Sequence, residues 1–374
     1  MKTTVIIPTY NERDNIDRLI DEVEKTFKKI DGHQMSILVV DDESPDGTAK
    51  IVQQQQKKYK NLHLISGKKE GLGKAYLRGM KYAAEKLKAE VMFELDADFQ
   101  HNPKLLPSFM KKIDAGYDMV IGSRYIKGGS IPDNWGIDRK IYSIFGNLIV
   151  RFFLFNFSHH DWTTGYRAIR TPIYYKVRDD LDNFKGYTFQ VSFLHKAFLL
   201  GAKVAEVPIH FVDRIHGESK IGSAEYIFNL FKYLIETNIK TPPRILRFLV
   251  VGTMGFIVQT IIFSFAWKSL GIDPAIATII GAEFAIISNF ILNNFWTFSD
   301  RKLEKNPALI LQKFISFNLL SFGSPIIQWL TVKSTNLFIS TTDFATWIAY
   351  VTGILIGLIV NYTIYNKIIW RKSN

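Results

Sequence analysis

The fold is decided by the stretch Val91-Met-Phe-Glu-Leu-Asp-Ala-Asp-Phe-Gln-His-Asn-Pro103, in which an apolar segment runs directly into two carboxylates. Side chains alternate along a strand, so Asp96 and Asp98 should lie on the same side at its carboxyl end. Open α/β sheets bind their ligands at that edge. Two like charges this close repel unless a proton or a cation lies between them. The stretch therefore predicts either an acidic surface turn or a site where Asp96, Asp98 and Gln100 hold a divalent metal ion, Mg²⁺ or Mn²⁺.

Apolar strand-like segments alternate with helical segments on both sides of this stretch. The strands are predicted at residues 5–8, 37–40, 62–65, 91–95 and 119–122, with helices at 14–29 and about 71–87. This alternation predicts an α/β, Rossmann-like, mostly parallel sheet with helices on both faces. The short loops at the carboxyl ends of the strands then meet in one crevice. Those loops are residues 8–12, 41–47, 96–100 and 123–124.

The chain has 374 residues and a formal net charge of +12, from 47 Lys and Arg against 35 Asp and Glu. This basic balance suits an anionic partner, and by itself it leaves nucleic acid, a membrane surface and phosphorylated substrates open. The absence of cysteine excludes disulfides, a thiol nucleophile and a zinc–thiolate site. Charges are scattered up to about residue 240 and long apolar runs follow, so we expect two domains, 1–240 and 241–374.

Four apolar stretches, at about residues 246–267, 274–296, 311–332 and 345–366, fill the second domain. Each is close to the ~20 residues that a helix needs to cross the hydrocarbon core, which predicts a four-helix transmembrane domain. Lys and Arg near the ends of these stretches strongly favour one side. The positive-inside rule then predicts a multi-pass protein of the cell membrane with both termini, and the first domain, in the cytoplasm. The favoured side has Lys240, Arg244, Arg247, Arg301, Lys302, Lys305, Lys313, Lys367, Arg371 and Lys372, and the other has Lys268 and Lys333.

The second domain also contains an internal repeat. Each copy holds two of the predicted spans, so both copies should have the same orientation in the membrane. The alignment matches Arg247-Phe248 with Lys313-Phe314, Asn289-Phe290 with Asn361-Tyr362, and Asn294 with Asn366.

Two segments of the first domain, at about residues 139–157 and 223–239, are apolar and aromatic but short for a membrane span. Asn147 and Arg151 interrupt the first, and Lys232 interrupts the second. Helices of this kind commonly lie in the bilayer interface, and the alternative is a pair of buried core helices. An interfacial position would bring Arg139 and Ser143 to the depth of a lipid headgroup.

Six motifs occur in this order: Pro8-Thr-Tyr-Asn-Glu12, Val40-Asp-Asp-Glu-Ser-Pro-Asp-Gly-Thr48, Gly71-Leu-Gly73, Asp96-Ala-Asp-Phe-Gln-His101, Ile121-Gly-Ser-Arg-Tyr125 and His216-Gly-Glu-Ser-Lys220. Together they resemble the polyprenyl-phosphate glycosyltransferases of family 2, which have the GT-A fold, and among them the dolichol-phosphate mannose synthases. In the second domain, Asn293-Asn-Phe-Trp-Thr-Phe298 resembles the end of a repeat in GtrA-like membrane domains. The resemblance implies inverting transfer of one sugar from a nucleotide donor to a lipid phosphate.

The resemblance also implies roles for the matched residues. The metal and diphosphate site would be Asp96, Asp98 and Gln100, and the catalytic residues would be Asp96, Asp98 and Arg124. The implied acceptor-phosphate residues are Arg124, Arg139 and Ser143. The implied nucleotide-binding residues are Pro8, Tyr10, Glu12, Val40, Asp42, Asp96, Ala97, Arg214 and Lys220, the last two on a flap that clamps the leaving diphosphate.

The chemistry of such a transfer makes few demands on the protein. A phosphate monoester is already ionised near neutral pH, so the nucleophile needs orientation rather than a general base. The resemblance favours GDP-mannose as donor and dolichyl or polyprenyl phosphate as acceptor, with a UDP-linked glucose or N-acetylhexosamine as the alternative donor. A lipid-sugar flippase with a nucleotide-sugar-binding domain is a further alternative. No recognisable nucleic-acid-binding module accompanies the positive charge, so nucleic acid is not an expected partner.

Overall fold

The structure is a computed structural model that describes residues 1–181, 186–212, 224–303, 306–339 and 342–371. Two predicted site residues, Arg214 and Lys220, lie outside these ranges, as do Lys305 and Lys372 of the basic set around the apolar stretches. The chain forms two compact units, Met1–Lys240 and Thr241–Asn374.

A central sheet organises the first unit. Among the described residues its strands are β1 (Lys2–Thr9), β2 (Gln34–Asp41), β3 (Leu62–Ser66), β4 (Val91–Glu94), β5 (Met119–Ser123), β6 (Arg167–Arg170) and β7 (Val204–Pro208). Their order across the sheet is β3-β2-β1-β4-β6-β5-β7. Only β6 runs antiparallel to its neighbours, β4 and β5. The α/β, Rossmann-like and mostly parallel sheet predicted from the sequence is thereby confirmed.

The interior strand β1 shows why these segments form a sheet that is covered on both faces. Every residue from its second to its last is buried. Val5 and Ile7 pack into the apolar core on one face, and Ile6 packs into the core on the other. Side-chain alternation in a strand covered on both faces produces this continuous apolar run. The register places Ile6 beside Glu94, so β1 and β4 end at the same edge.

Helices cover both faces of the sheet. The apolar stripe of the first helix, which includes Ile16, Leu19, Ile20 and Val23, is fully buried and confirms the helical spacing read from the sequence. The helices of this unit are α1 (Arg13–Phe27), α2 (Thr48–Lys58), α3 (Leu72–Glu85), α4 (Leu106–Asp114), α5 (Ile137–Phe153), α6 (Thr171–Val177), α7 (Gly186–Leu199) and α8 (Ala224–Lys240), with short 3-10 helices at Pro103–Leu105 and Arg178–Asp180.

Strands β6 and β7 were not predicted from the sequence. β6 has only four residues, and its first residue, Arg167, is charged although it is fully buried. β7 contains Glu206 and ends at Pro208. Short segments with charged residues lack the apolar pattern by which the other strands are recognised.

The structure of the second unit differs from the predicted set of four transmembrane helices. The third predicted span, 311–332, is interrupted at Phe322, immediately before Gly323. Glycine weakens a helix, and Pro325 has no backbone N–H to continue it. Among the described residues, three helices are long and apolar enough to cross a membrane: Arg244–Lys268, Ile276–Thr297 and Val351–Ile369. The α-helices are α9 (Arg244–Ser264), α10 (Pro274–Leu292), α11 (Pro307–Ser321), α12 (Gly323–Phe338) and α13 (Asp343–Ile364), with π-helices at Phe265–Ser269, Asn293–Thr297 and Tyr365–Ile369 and a 3-10 helix at Ser299–Arg301.

The two halves of the second unit end in the same way. A five-residue π-helix follows α10 and another follows α13. Arg247 donates to the carbonyl of Trp296 in the first of these turns at 3.1 Å, and Lys313 donates to the carbonyl of Ile368 in the second at 2.7 Å. Each turn is therefore capped by the cation that the sequence alignment of the repeat makes equivalent.

Candidate active site

The loop after β4 carries both predicted metal-binding carboxylates. Asp98 and Gln100 are buried, and the Gln100 backbone N–H donates to Asp98 Oδ1 at 3.1 Å. Phe99, between them, has a φ of +61°, a left-handed conformation that bulky residues rarely adopt. Backbone strain of this kind collects at functional sites. The Gln100 side-chain amide donates to the carbonyl of Val212 at 3.3 Å, which joins this loop to the segment after β7.

Asp96 is held from two sides. The hydroxyl of Tyr76 in α3 donates to Asp96 Oδ1 at 2.7 Å, and the backbone N–H of Asp96 donates to Nδ1 of His101 at 3.0 Å. In this arrangement Nδ1 is an acceptor, so the proton of the neutral imidazole is on Nε2. The His101 ring stacks on Tyr166, with ring centroids 5.0 Å apart. Tyr76 was not singled out from the sequence, because its contact with Asp96 crosses from a helix to a different strand end.

The oxygen donors of this loop fit a small divalent cation. Within the described ranges, no group of three or more His, Cys, Asp or Glu side chains is arranged to hold a metal ion. The donors available are the carboxylates of Asp96 and Asp98 and the amide of Gln100. This small number of protein ligands is enough for Mg²⁺, because the ion keeps several waters and also binds substrate phosphates. Mn²⁺ prefers the same oxygen ligands.

The predicted nucleoside-binding residues lie at the ends of β1 and β2 and in the loops that follow them. Pro8 lies beside Val40 in the adjacent strand. Tyr10 is 39% exposed, and the Lys69 ammonium lies 3.3 Å from the centroid of its ring. Glu12 immediately precedes α1, and its side chain accepts a hydrogen bond from Asn15 Nδ2 at 2.8 Å. The structure therefore brings these predicted residues to the same edge of the sheet as the carboxylate loop.

Asp42, another predicted nucleotide-binding residue, is buried and forms an ion pair with the partly exposed Arg78 of α3. Burial raises the pKa of Asp42, and the Arg78 charge opposes that rise. Arg78 also donates to the carbonyl of Lys68 at 3.2 Å. A side chain at Gly67 would meet the Arg78 guanidinium at 2.6 Å, so glycine leaves the space that Arg78 fills. Arg78 thus connects the ends of β2 and β3, and no local pattern in the sequence identifies it.

The predicted acceptor-phosphate residues follow β5 and lie in α5. Arg124 is buried and donates to both oxygens of Asp161, from Nε and from Nη2, at 2.7 Å each. Two parallel charge-assisted bonds fix the plane of the guanidinium. Arg139 stacks on Trp135, with its guanidinium carbon 4.0 Å from the ring centroid. Ser143 lies about one turn further along the same helix.

Phe211, just after β7, contacts both parts of this site. Its ring centroid lies 6.4 Å from that of His101 and 5.8 Å from that of Trp135. The guanidinium carbon of Arg124 lies 5.3 Å from the same centroid. His101 of the carboxylate loop, Arg124, and Trp135, on which Arg139 stacks, therefore all lie against one aromatic ring.

The side chain of Ala97 lies apart from the other predicted nucleotide-binding groups. It is 3% exposed and packs in the apolar core on one face of the sheet. A ligand can therefore reach this residue only through its backbone. Arg214 and Lys220 lie outside the described residues, so the structure gives no position for the predicted flap.

A second buried pair lies behind the carboxylate loop. Glu94 and Arg167 are both fully buried, and Arg167 Nε lies 4.0 Å from Glu94 Oε2. Burial raises the pKa of Glu94 to about 7 and lowers the pKa of Arg167 to about 10. The guanidinium donates instead to the carbonyls of Thr164 at 2.9 Å and Gln190 at 2.7 Å. Arg167 therefore ties together the loop before β6 and helix α7 in the wall of the site.

Comparison with known proteins agrees with this architecture. Residues 4–178 match the family described as glycosyl transferase family 2, and residues 247–370 match the GtrA/DPMS transmembrane domain. A dolichol-phosphate mannosyltransferase of Pyrococcus furiosus is 32% identical over 381 residues, which cover 99% of each chain. A polyprenol monophosphomannose synthase of Mycolicibacterium smegmatis is 38% identical over 235 residues, 62% of this chain and 85% of that protein. An undecaprenyl-phosphate mannosyltransferase of Micrococcus luteus is 36% identical over 222 residues, 59% of this chain and 88% of that protein.

Proposed function

Because the chain belongs to the family 2 glycosyltransferases and carries a transmembrane domain of the GtrA/DPMS type, we propose that it transfers one mannose from GDP-mannose to dolichyl or polyprenyl phosphate. The transfer is metal-dependent and inverts the configuration of the sugar. One observation carries the proposal: His101 of the carboxylate loop and Arg124, a predicted acceptor-phosphate residue, both lie against Phe211. A cation-bound diphosphate and a lipid phosphate can then approach one sugar from neighbouring positions.

On the donor side, Asp96, Asp98 and Gln100 hold Mg²⁺ or Mn²⁺, and the nucleoside occupies the pocket formed by the loops after β1 and β2. The bound ion neutralises charge on the leaving diphosphate. By their motif, Arg214 and Lys220 clamp the same diphosphate. The nucleoside contacts come from Pro8, Tyr10, Glu12, Val40 and Asp42, with the backbone of Ala97.

On the acceptor side, Arg124, Arg139 and Ser143 hold the lipid phosphate. The phosphate is ionised near neutral pH and needs no base, so these residues act by orientation and by charge. The pairing of Arg124 with Asp161 supports this role, because it presents the guanidinium in one fixed plane. The stacking of Arg139 on Trp135 restrains a second guanidinium in the same way.

The acceptor is reached from the membrane. Helix α5 carries an exposed apolar stripe at helical spacing, and α8 also exposes large apolar residues, as expected for helices in the bilayer interface. Arg139 and Ser143 share α5 with that stripe and therefore lie at the depth of a lipid headgroup. The bias of Lys and Arg around the apolar stretches supports a cytoplasmic position for the catalytic unit. The exposed residues of α5 are Ile137, Ile141, Phe145, Leu148 and Phe152, and those of α8 include Phe228, Ile235 and Ile239.

The test is mannosyl transfer by the purified full chain with GDP-mannose, UDP-glucose or UDP-N-acetylglucosamine. Each donor is combined with dolichyl or undecaprenyl phosphate, with Mg²⁺, Mn²⁺ or EDTA, and the lipid fraction is analysed by mass spectrometry. We expect a mannosyl-phospholipid from GDP-mannose alone, and no product in EDTA. Product from a UDP-sugar would instead identify the alternative donor. Full turnover in EDTA would contradict the proposed metal dependence.

Replacement of the central carboxylate is the matching residue test. We expect Asp98→Ala to lower the rate of transfer more than about a hundredfold. Loss of a residue that only orients a metal ligand typically lowers metal affinity or activity by about 10–100-fold, and Asp98 is itself a proposed ligand. The control is Asp31→Ala, which removes an exposed carboxylate from the turn after α1. Equal turnover of the two variants at saturating Mn²⁺ would contradict the proposed site.

A further inference from the structure

We propose that Tyr76 is a positioning residue that holds the Asp96 carboxylate in the orientation that binds the cation. The inference rests on the proposed metal site and adds to it a residue from a different element. Its basis is a hydrogen bond of 2.7 Å from the Tyr76 hydroxyl to Asp96 Oδ1.

The geometry fixes which atom donates in this bond. Tyr76 is fully buried, and its hydroxyl is the donor to the carboxylate oxygen of Asp96. A proton donated to a carboxylate oxygen favours the ionised form, which is the form that binds a metal ion.

Close packing of α3 on the sheet explains how Tyr76 reaches the end of β4. At Gly79, about one turn after Tyr76, a Cβ atom would lie 2.5 Å from Ile6 Cγ2 and 2.9 Å from Val40 Cγ2. Only glycine lets the helix approach β1 and β2 so closely. The ring of Tyr76 also stacks parallel to that of Phe189 in α7, with centroids 6.5 Å apart. The close approach of the helix and the stacking on Phe189 thus position the ring without involving its hydroxyl.

The other side of Asp96 is equally restricted. The backbone N–H is bonded to His101, and a Cβ atom at Gly165 would lie 3.6 Å from Asp96 Oδ2. The backbone of Asp96 is therefore held by His101, while the rotation of its carboxylate is set by Tyr76. Residues that orient a metal ligand in this way typically change metal affinity 10–100-fold.

The test is Tyr76→Phe, which keeps the ring and its stacking and removes one oxygen atom. Mn²⁺ binding to the purified full chain in detergent is followed by electron paramagnetic resonance, with Mn²⁺ as the only added ligand. We expect the dissociation constant to rise at least about tenfold. The Mn²⁺ concentration for half-maximal transfer should rise in parallel, and saturating Mn²⁺ should restore most of the turnover.

The matched control is Tyr82→Phe, a half-buried tyrosine of the same helix that packs against the same core. It should leave Mn²⁺ affinity unchanged. An affinity of Tyr76→Phe within twofold of the parent chain would overturn the positioning role, and so would a loss of turnover that saturating Mn²⁺ fails to restore. If the parent chain itself binds no Mn²⁺, the proposed metal site fails, which is a separate result.

Discussion

Two buried arginines lie close to the candidate active site, and their acidic partners are arranged differently. Arg124 reaches Asp161 through two bonds of 2.7 Å. Arg167 Nε remains 4.0 Å from Glu94 and uses its donors on backbone carbonyls. All four side chains are buried, so burial alone does not distinguish the two pairs.

The comparison shows that geometry decides what a buried acid can do. Two charge-assisted hydrogen bonds offset the desolvation of Asp161, so it can support Arg124 as a fixed charge. Glu94 lacks such bonds with Arg167, and desolvation therefore raises its pKa to about 7. We infer that the first pair orients a guanidinium for the acceptor phosphate. The second pair has a structural role, and its acid, Glu94, is partly protonated near its pKa of about 7.

Breaking the pair of Arg124 and Asp161 should have the largest effect on stability and transfer. Asp161→Ala leaves the Arg124 guanidinium buried without its anion, which typically costs about 3–5 kcal/mol. In a unit of this size the unfolding midpoint should fall on the order of 10 °C. Transfer should fall as well, because Arg124 loses its fixed orientation. Thermal unfolding of the purified chain and initial transfer rates measure the two effects separately.

Replacing both residues of this pair separates the effect of the buried charge on stability from its effect on transfer. Arg124→Met with Asp161→Leu removes both charges and keeps apolar volume, and such exchanges are often neutral or stabilising. We expect the double variant to regain most of the lost thermal stability and none of the transfer activity. A double variant no more stable than Asp161→Ala would show that the uncompensated charge is not the cause of the destabilisation.

The pair of Glu94 and Arg167 should show a smaller effect on stability, and this effect should depend on pH. The pKa of Glu94 is higher in the folded chain, about 7, than its ordinary value of 4.5. Protonation therefore favours folding, and the parent chain should lose stability as the pH rises from about 4.5 to about 7. Glu94→Gln stays neutral, so its stability relative to the parent should increase over that range, by up to roughly 3 kcal/mol. Thermal unfolding of both proteins in EDTA between pH 5 and 8 measures this difference, and parallel curves would contradict it.

The sequence predicts the parts of this site that lie within one loop or at one strand end. Asp96, Asp98 and Gln100 are close neighbours along the chain, so strand alternation alone predicts that they share an edge. Arg124 follows β5 directly, and the loop it occupies was predicted to reach the same crevice. These positions follow from parallel strand order, which periodicity reveals.

The supporting residues could not be predicted in this way. Tyr76 and Arg78 lie on a helix whose approach to the sheet depends on Gly79, and Asp161 lies far from Arg124 along the chain. Contacts between distant elements depend on packing, which the pattern of one sequence does not specify. The same limit explains β6, whose buried Arg167 contradicts the apolar pattern of a strand.

An exposed ion pair provides the reference for both buried ones. Lys58 Nζ lies 2.8 Å from Asp21 Oδ1, almost as short as the bonds between Arg124 and Asp161, but the lysine side chain is 56% exposed. Water and salt screen such a pair, and ordering two long side chains opposes its formation. We therefore expect Lys58→Ala to leave the unfolding midpoint and the transfer rate unchanged within error, at both low and high salt. A fall in the midpoint comparable to that of Asp161→Ala would show that a short ion pair stabilises the fold even without burial, and the loss expected for Asp161→Ala could then not be assigned to an uncompensated buried charge.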